Sequence, residues 1–290
     1  MGFRIHRSVL AMKSGVFRDM FSLPQPEVDN ASRQTDDCPV IRLSDSPEDL
    51  AYFFDAMYNG MRYRFDNSSQ PTWAALKALL ILGNKYDADE LYKEALRCLS
   101  LQFPKDIKAW DALYQNSWFI LGKEDVLAIE IANTCRLLQL AEFHVLALYL
   151  CCVLPKGTLE EGAYLQRGKD AKVQLNPEDV AVCLAVKSTL RKALRKNMKM
   201  LVVNVPSQSG SQCLDEGVCS TTVGQLRKRK DCWPRGLASK PYSVLDPFRG
   251  VFSDLIFICR NCEGWLHEEY ADIRQRVRNE LHKYIVVPPY

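Results

Sequence analysis

The chain has 290 residues, of which 47% are apolar and 25% charged, and its net charge is +3. That length accommodates two modest domains or one domain with a long extension, and the composition is that of a globular protein. The charge is too small to imply a polyanionic partner, and no apolar run reaches the ~20 residues of a membrane span.

The N-terminus, MGFRIHRSVL, has no apolar signal core, and Gly2 lacks the Ser or Thr at position 6 that myristoylation needs. The expectation is an intracellular protein of the cytoplasm or nucleus, without a membrane partner. There are 11 cysteines. Cys98, Cys135, Cys151, Cys152 and Cys183 lie in apolar helical runs and are expected to pack as small reduced hydrophobes, not as a disulfide framework.

In chain order, Phe3 and Ile5 alternate with Arg4, which predicts a short strand. His6 to Leu10 turns it into a helix. Ser14 then caps a second helix carrying Val16, Phe17, Met20 and Phe21 on one stripe. Leu23 to Asp37 reads as a solvated loop and Val40 to Leu43 as a short strand. Ser46, Pro47 and Asp49 form a helix start of cap, first-turn proline and acidic third position. That helix buries Leu50, Phe53, Phe54 and Met57, and Gly60 stands at its end. Trp73 to Tyr86 is a further helix burying Trp73, Leu76, Leu79 and Leu80, with Gly83 costing about 1 kcal/mol relative to alanine. Asp87 and Glu90 make a capping box for a helix from Ala88 to Leu101 that carries Leu91, Ala95, Cys98 and Leu99, and Pro104 bars its continuation.

Asp106 to Val153 reads as helical throughout, with Leu127, Ile131, Cys135 and Leu138 on one stripe. Within it, Glu142 to Leu154 is almost wholly apolar and becomes a central helix, which Pro155, Gly157 and Gly162 break. Asn176-Pro177-Glu178-Asp179 opens another helix that runs to about Leu201. Leu190, Leu194, Met198 and Leu201 face inward, and Lys187, Arg191, Arg195 and Lys199 form a row on another face. Pro206 to Ser211 is a linker by composition, and Gln212 to Ser243, which contains the run Arg227 to Lys230, is poorly patterned. Asp246-Pro247 opens a last helical region, in which Leu255 to Ile258 leads into Cys259-Arg260-Asn261-Cys262. A final amphipathic helix is predicted from Glu268 to Tyr284.

The opening FRIHRSVLAMKSGVFRDMF resembles the start of a BTB/POZ domain, in which F-x-V-H-R-x-x-L is followed by S-x-x-F-x-x-M-F. DSPEDLAYFFDAMYNG and the helix end Gly83 to Tyr86 are similar to later segments of the same family. The order that follows resembles large families of fungal proteins, especially of mushroom-forming fungi. It comprises an apolar helix ending in Cys151-Cys152, a C-x-x-C, a charged helix and a proline-containing end.

The implied fold is α+β and mostly α. It has a BTB/POZ domain over residues 1–103, a helical extension over 104–203, a partly disordered linker over 204–245 and a C-terminal helical region with the C-x-x-C over 246–290. BTB domains enter the Phe3–His6 strand from a preceding strand, and here the chain starts two residues before Phe3. An N-terminally incomplete domain is therefore expected, through either a gene read short of its start or a genuinely short protein. Its first strand would sit at a sheet margin, with apolar surface near Val9, Phe17 and Val40 to Leu43 partly exposed. Such a domain would aggregate more readily than one with the upstream hairpin restored, and would lack a strand-exchanged dimer.

No nucleotide-binding, zincin or nucleophile-elbow motif is present, and the four histidines are far apart, so the chain is read as no enzyme. His6 is read as structural, its ring satisfying local backbone groups at the strand-to-helix turn. Cys259-x-x-Cys262 is the sharpest metal signal, because two thiolates at this spacing can share one tetrahedral zinc. The further ligands would be Cys213 and Cys219, with Cys232 or His267 as substitutes. The competing reading is reduced cysteines at the edge of a helical core.

The resemblance implies a protein-interaction module that self-associates and recruits protein partners, in some relatives as a substrate adaptor of a cullin-based ubiquitin ligase. Asp106 to Val153 would then offer a second cullin contact. The alternative is a nuclear regulator whose C-terminal region binds zinc or nucleic acid through the basic segments. A nucleic-acid partner is the lesser expectation, since no known nucleic-acid-binding signature accompanies those segments.

Overall fold

The computed structural model describes residues 1–23, 34–35, 38–59, 72–115, 125–164, 172–204, 213–228, 244–246 and 258–287. The chain divides into two compact units, Met1–Leu101 and Gln102–Tyr290. Gly60, the linker Pro206–Ser211, Cys232 and Leu255–Phe257 lie outside the described residues.

The first unit contains α1 (Arg7–Lys13), α2 (Gly15–Ser22), a hairpin of β1 (Gln34–Thr35) and β2 (Cys38–Pro39), α3 (Pro47–Asn59), α4 (Trp73–Lys85) and α5 (Asp89–Gln102). The hairpin pairs Gln34 with Pro39 and Thr35 with Cys38, antiparallel. Ser14 caps α2 by accepting the Phe17 N–H at 3.2 Å, and its hydroxyl donates to the Tyr86 carbonyl. The Gly15 N–H donates to the Asp87 carbonyl at 3.0 Å, which seats the α1–α2 elbow on the turn between α4 and α5. Phe17 lies flat on Tyr86 with ring centres 4.8 Å apart, and Phe53 stands 5.7 Å from the same ring. Each such fully buried ring contributes about 1.5–3 kcal/mol. The expected stripe of α3, Leu50, Phe53, Phe54 and Met57, is buried, as is that of α4.

Three expectations for this unit are corrected. Phe3–Ile5 and Val40–Leu43 form no strand, because neither has a ladder partner among the described residues. Phe3 is held instead by an edge contact with Phe54, while Val40 and Ile41 are exposed and Phe17 is buried. Asp87 and Glu90 make no capping box: Asp87 sits at φ +50° with its carbonyl on Gly15, and Glu90 pairs with Lys13 at 3.0 Å. Gly83 is no mere weakness of α4, since a Cβ there would lie 3.2 Å from the Tyr92 Cα; the glycine lets α4 and α5 approach closely.

Asp45, partly buried ahead of α3, accepts from Lys85 at 2.6 Å and from the Tyr86 hydroxyl. Burial opposes its ionisation, but those two bonds and the Lys85 charge outweigh it and hold the carboxyl below the usual aspartate range. A depressed carboxyl stabilises the fold above its unfolded pKa of about 3.9, and that contribution is lost as pH falls through the folded value. Asp45→Asn is therefore expected to lower the melting temperature of this unit at pH 7. The gap to wild type should close below about pH 4. A gap constant from pH 7 to pH 3 in thermal melts would count against this assignment.

The second unit contains α6 (Ile107–Gln115), α7 (Asp125–Leu137), α8 (Ala141–Val153), α9 (Lys156–Glu161), a hairpin of β3 (Ala163–Tyr164) and β4 (Lys172–Val173), α10 (Pro177–Asn204), α11 (Glu216–Lys228), α12 (Arg260–Asn279) and α13 (Leu281–Tyr284). The apolar α8 is the centre, packed by α7, α10 and α13, while α12 packs on α6, α10 and α13. Leu190, Leu194, Met198 and Leu201 of α10 face inward as expected, as do Cys135, Cys151, Cys152 and Cys183, while Cys98 is buried in the first unit. The C-terminal helix is tied to the start of the unit by Arg274, whose guanidinium grips the Asp111 carboxylate and the Leu245 carbonyl.

Here too the sequence reading is corrected. Asp106–Val153 is helical in its described residues but interrupted: Gln139 at φ +55° ends α7 ahead of the expected central helix, and the Leu140 N–H closes the cap on the Cys135 carbonyl at 2.8 Å. Lys187 does not belong to a solvated face, because it is half-buried and donates to the Leu154 carbonyl at 2.5 Å. α11 lies inside the stretch that composition reads as linker; Asp215 caps it by accepting the Val218 N–H at 3.1 Å, and Cys219 and Val223 are buried. The last amphipathic helix begins at Arg260, eight residues before the expected Glu268, and Glu280 separates it from α13.

A candidate metal centre

Two helix N-termini meet at a cluster of thiols. Cys259 is the N-cap residue of α12 and Cys262 lies in its first turn. Cys213 precedes α11, and Cys219 is the fourth residue of that helix. The four sulfur atoms all lie within 4.8 Å of one another. Cys213 Sγ is 3.8 Å from Cys259 Sγ and 3.6 Å from Cys262 Sγ. Four sulfurs at tetrahedral corners about 2.3 Å from one ion are roughly 3.8 Å apart. A disulfide would need about 2.05 Å, and all four cysteines are free thiols.

Backbone donors also point at sulfur. The Leu214 N–H donates to Cys259 Sγ at 3.4 Å, and the Cys259 N–H donates to Cys219 Sγ at 3.1 Å. The backbone N–H groups of Cys262 and Leu214 pull the Cys259 thiol down to about 6. Burial pushes Cys219 and Cys262 up. The partial positive charge of two helix N-termini adds to the preference for anionic sulfur. His267 is not part of the cluster; it lies 4.0 Å from Glu263 on an exposed side of α12.

The first unit carries no comparable cluster of ligands among the described residues. Its notable surface is apolar: Met12, Val16, Val40, Ile41 and Tyr58 are exposed. A comparison with protein families matches this segment to BTB, the BTB/POZ domain, over residues 1–100. This segment is a BTB/POZ domain. Comparisons with curated proteins and with solved structures found no match. The BTB/POZ domain is a protein–protein interaction module, and the mostly α fold with small sheets accords with it.

Within the BTB/POZ domain, His6 is exposed and its ring makes no capping bond to α1; its backbone N–H donates to the Tyr58 hydroxyl at 2.6 Å. One polar group in the second unit escaped the sequence reading. His144 of α8 and Asp179 of α10, both fully buried, meet at 3.0 Å, and Arg136 of α7 donates to the same carboxylate at 3.1 Å. The thiols of Cys151 and Cys183 nearby are pushed up, Cys151 by burial and Cys183 by its contact with Cys152 and by burial. A protonated, sealed thiol is no nucleophile, so this group serves to join three helices.

Proposed function

We propose that this chain is a partner-recruiting protein whose BTB/POZ domain self-associates, and that it acts as a substrate adaptor of a cullin-type ubiquitin ligase. The observation that carries the reading is the BTB/POZ match over residues 1–100, on a unit that leaves Met12, Val16, Val40 and Ile41 exposed. The working organisation is a BTB/POZ domain over 1–103, a helical extension over 104–203, a connecting segment over 204–245 and a C-terminal helical region over 246–290. The extension, from Asp106 to Val153, would supply the second cullin contact. An intracellular site, in cytoplasm or nucleus, accords with nine described cysteines that are all free.

The full chain is expected to run as a dimer or larger species in size-exclusion chromatography with light scattering, and Val40→Asp/Ile41→Asp is expected to shift it to monomer. It is further expected to capture a cullin from cell extract. A concentration-independent monomer and no cullin in the eluate would overturn the reading.

One observation favours a second reading, a nuclear regulator that meets nucleic acid. Arg191, Lys192, Arg195, Lys196 and Lys199 are all exposed on α10, and no acidic residue occurs from Val180 to Leu214. Phosphate contacts by such a face would weaken steeply between 50 and 200 mM salt. Fluorescence anisotropy with a DNA duplex over that range separates the two readings.

A further inference from the structure

We propose that Cys213, Cys219, Cys259 and Cys262 hold one zinc ion in a closed, all-thiolate site that pins α11 to α12. The inference stands on the second unit alone and does not rest on the interaction reading of the BTB/POZ domain. Four features converge on it. The sulfurs come from two pairs separated along the chain, with Cys219 and Cys259 40 residues apart, yet they gather within 4.8 Å. The measured separations of 3.6 and 3.8 Å fit one tetrahedral ion and no disulfide. Backbone N–H groups donate to Cys259 and Cys219 sulfur, as they do in supporting shells that orient metal ligands. Finally, both pairs sit at helix N-termini, where excess negative charge is stabilised.

Binding is written without any oxidant. All four sulfurs bind as thiolates: each S–H bond still present breaks, its proton passes to solvent, and four Zn–S bonds form, leaving a centre of net charge −2. No electron moves. An all-sulfur set excludes calcium and magnesium, which take oxygen ligands. Four protein ligands leave no open position for water or substrate, so the ion is structural and not catalytic. Its effect is to close the 40-residue connection between Cys219 and Cys259. The far half of α12 is held independently by the Arg274–Asp111 pair. Metal loss should therefore release α11 and the first turn of α12 while leaving α7, α8 and the BTB/POZ domain folded.

The test uses the full chain purified without chelator. Metal analysis is expected to give one zinc per chain, and cobalt substitution the thiolate-to-cobalt absorption of a tetrahedral site. Cys213→Ser/Cys219→Ser/Cys259→Ser/Cys262→Ser is expected to abolish both signals, while Cys98→Ala leaves them unchanged. Should the quadruple variant fail to fold, the wild-type chain still decides. Titration with a mercurial is expected to release the zinc as four thiols react, and chelator is expected to raise hydrogen exchange in α11 and at the start of α12 only. The proposal is overturned by chains free of zinc, by iron in its place, by two disulfides in the native chain, or by zinc retained in the quadruple variant.

Discussion

Arg274→Met is expected to unfold the C-terminal unit, or to leave it only marginally stable. The guanidinium is 1% exposed and makes bonds in two directions. Nη1 donates to Asp111 at 2.8 Å and Nη2 to the other carboxylate oxygen, while Nε and Nη2 donate to the Leu245 carbonyl at 3.1 and 2.6 Å. The Tyr270 ring lies 5.5 Å from the guanidinium, and its hydroxyl donates to the Asp246 carbonyl at 3.1 Å. The Leu245 N–H donates to the Tyr149 hydroxyl at 3.0 Å, so the same hub orders residues 244–246 against α8.

Methionine fills much of the volume but supplies no donor. It leaves the buried Leu245 carbonyl and the Asp111 carboxylate, whose side chain is 26% exposed, without the Arg274 donors, which costs about 3 kcal/mol, the low end for a broken buried pair. That is a large part of the roughly 5–15 kcal/mol that holds a typical domain together. Arg274→Lys keeps the charge but not the fork, and should fall between the two. Arg274→Met/Asp111→Leu should recover much of the loss, because no buried charge is left unpaired. Urea denaturation followed by hydrogen exchange in α12 measures this; a single variant within about 1 kcal/mol of wild type would sink the argument.

The second large effect is expected at Asp179. Its carboxylate, 0% exposed, lies in the first turn of α10 and serves Arg136 of α7 and His144 of α8 together. Arg136 also reaches Glu178. Asp179→Ala removes the acceptor that the buried His144 ring and Arg136 share, while Arg136 keeps Glu178, at a cost of about 2–3 kcal/mol. Asp179→Asn retains one acceptor but turns a donor toward the other partner, and should cost about 1–2 kcal/mol. His144→Ala leaves the Arg136–Asp179 pair in place, so it should be milder than Asp179→Ala. Equilibrium denaturation of the three variants tests the order. Equal losses would mean that packing volume, not the carboxylate, unites the helices.

The parts of the fold that were legible in the sequence are those encoded within a few residues. Ser14, Ser46-Pro47 and Asn176-Pro177 mark helix starts, because the cap bond and the proline φ are local matters. The apolar stripes of α3, α4 and α10 were readable for the same reason. Strands were not, since the alternation in Phe3–Ile5 and Val40–Leu43 says nothing of a partner strand. The positive φ of Gln139 that ends α7 carries no mark in the sequence, although the shift to an almost wholly apolar pattern at Glu142 does separate α8. At the thiol cluster, the spacing of Cys259 and Cys262 points to one pair, but no period links it to Cys213 and Cys219. Likewise His144 and Asp179, 35 residues apart, carry no mark of belonging together.

The tie between α12 and the beginning of its unit also sets an order of events at the ribosome. Arg274 meets Asp111 across 163 residues, and Arg278 donates to the Phe103 carbonyl across 175. The BTB/POZ domain completes its ties sooner, the Lys13–Glu90 pair spanning 77 residues. At about 5–20 residues per second, on the order of 10–30 s pass between the synthesis of Asp111 and that of Arg274. During that interval the apolar α8 has no α12 or α13 to shelter the unit. The nascent second unit is thus a natural client for holding chaperones, while the first can fold as it is made. A nonsense mutation after the first unit, between α8 and Arg274, would leave a finished interaction domain fused to a sticky, unclosed tail.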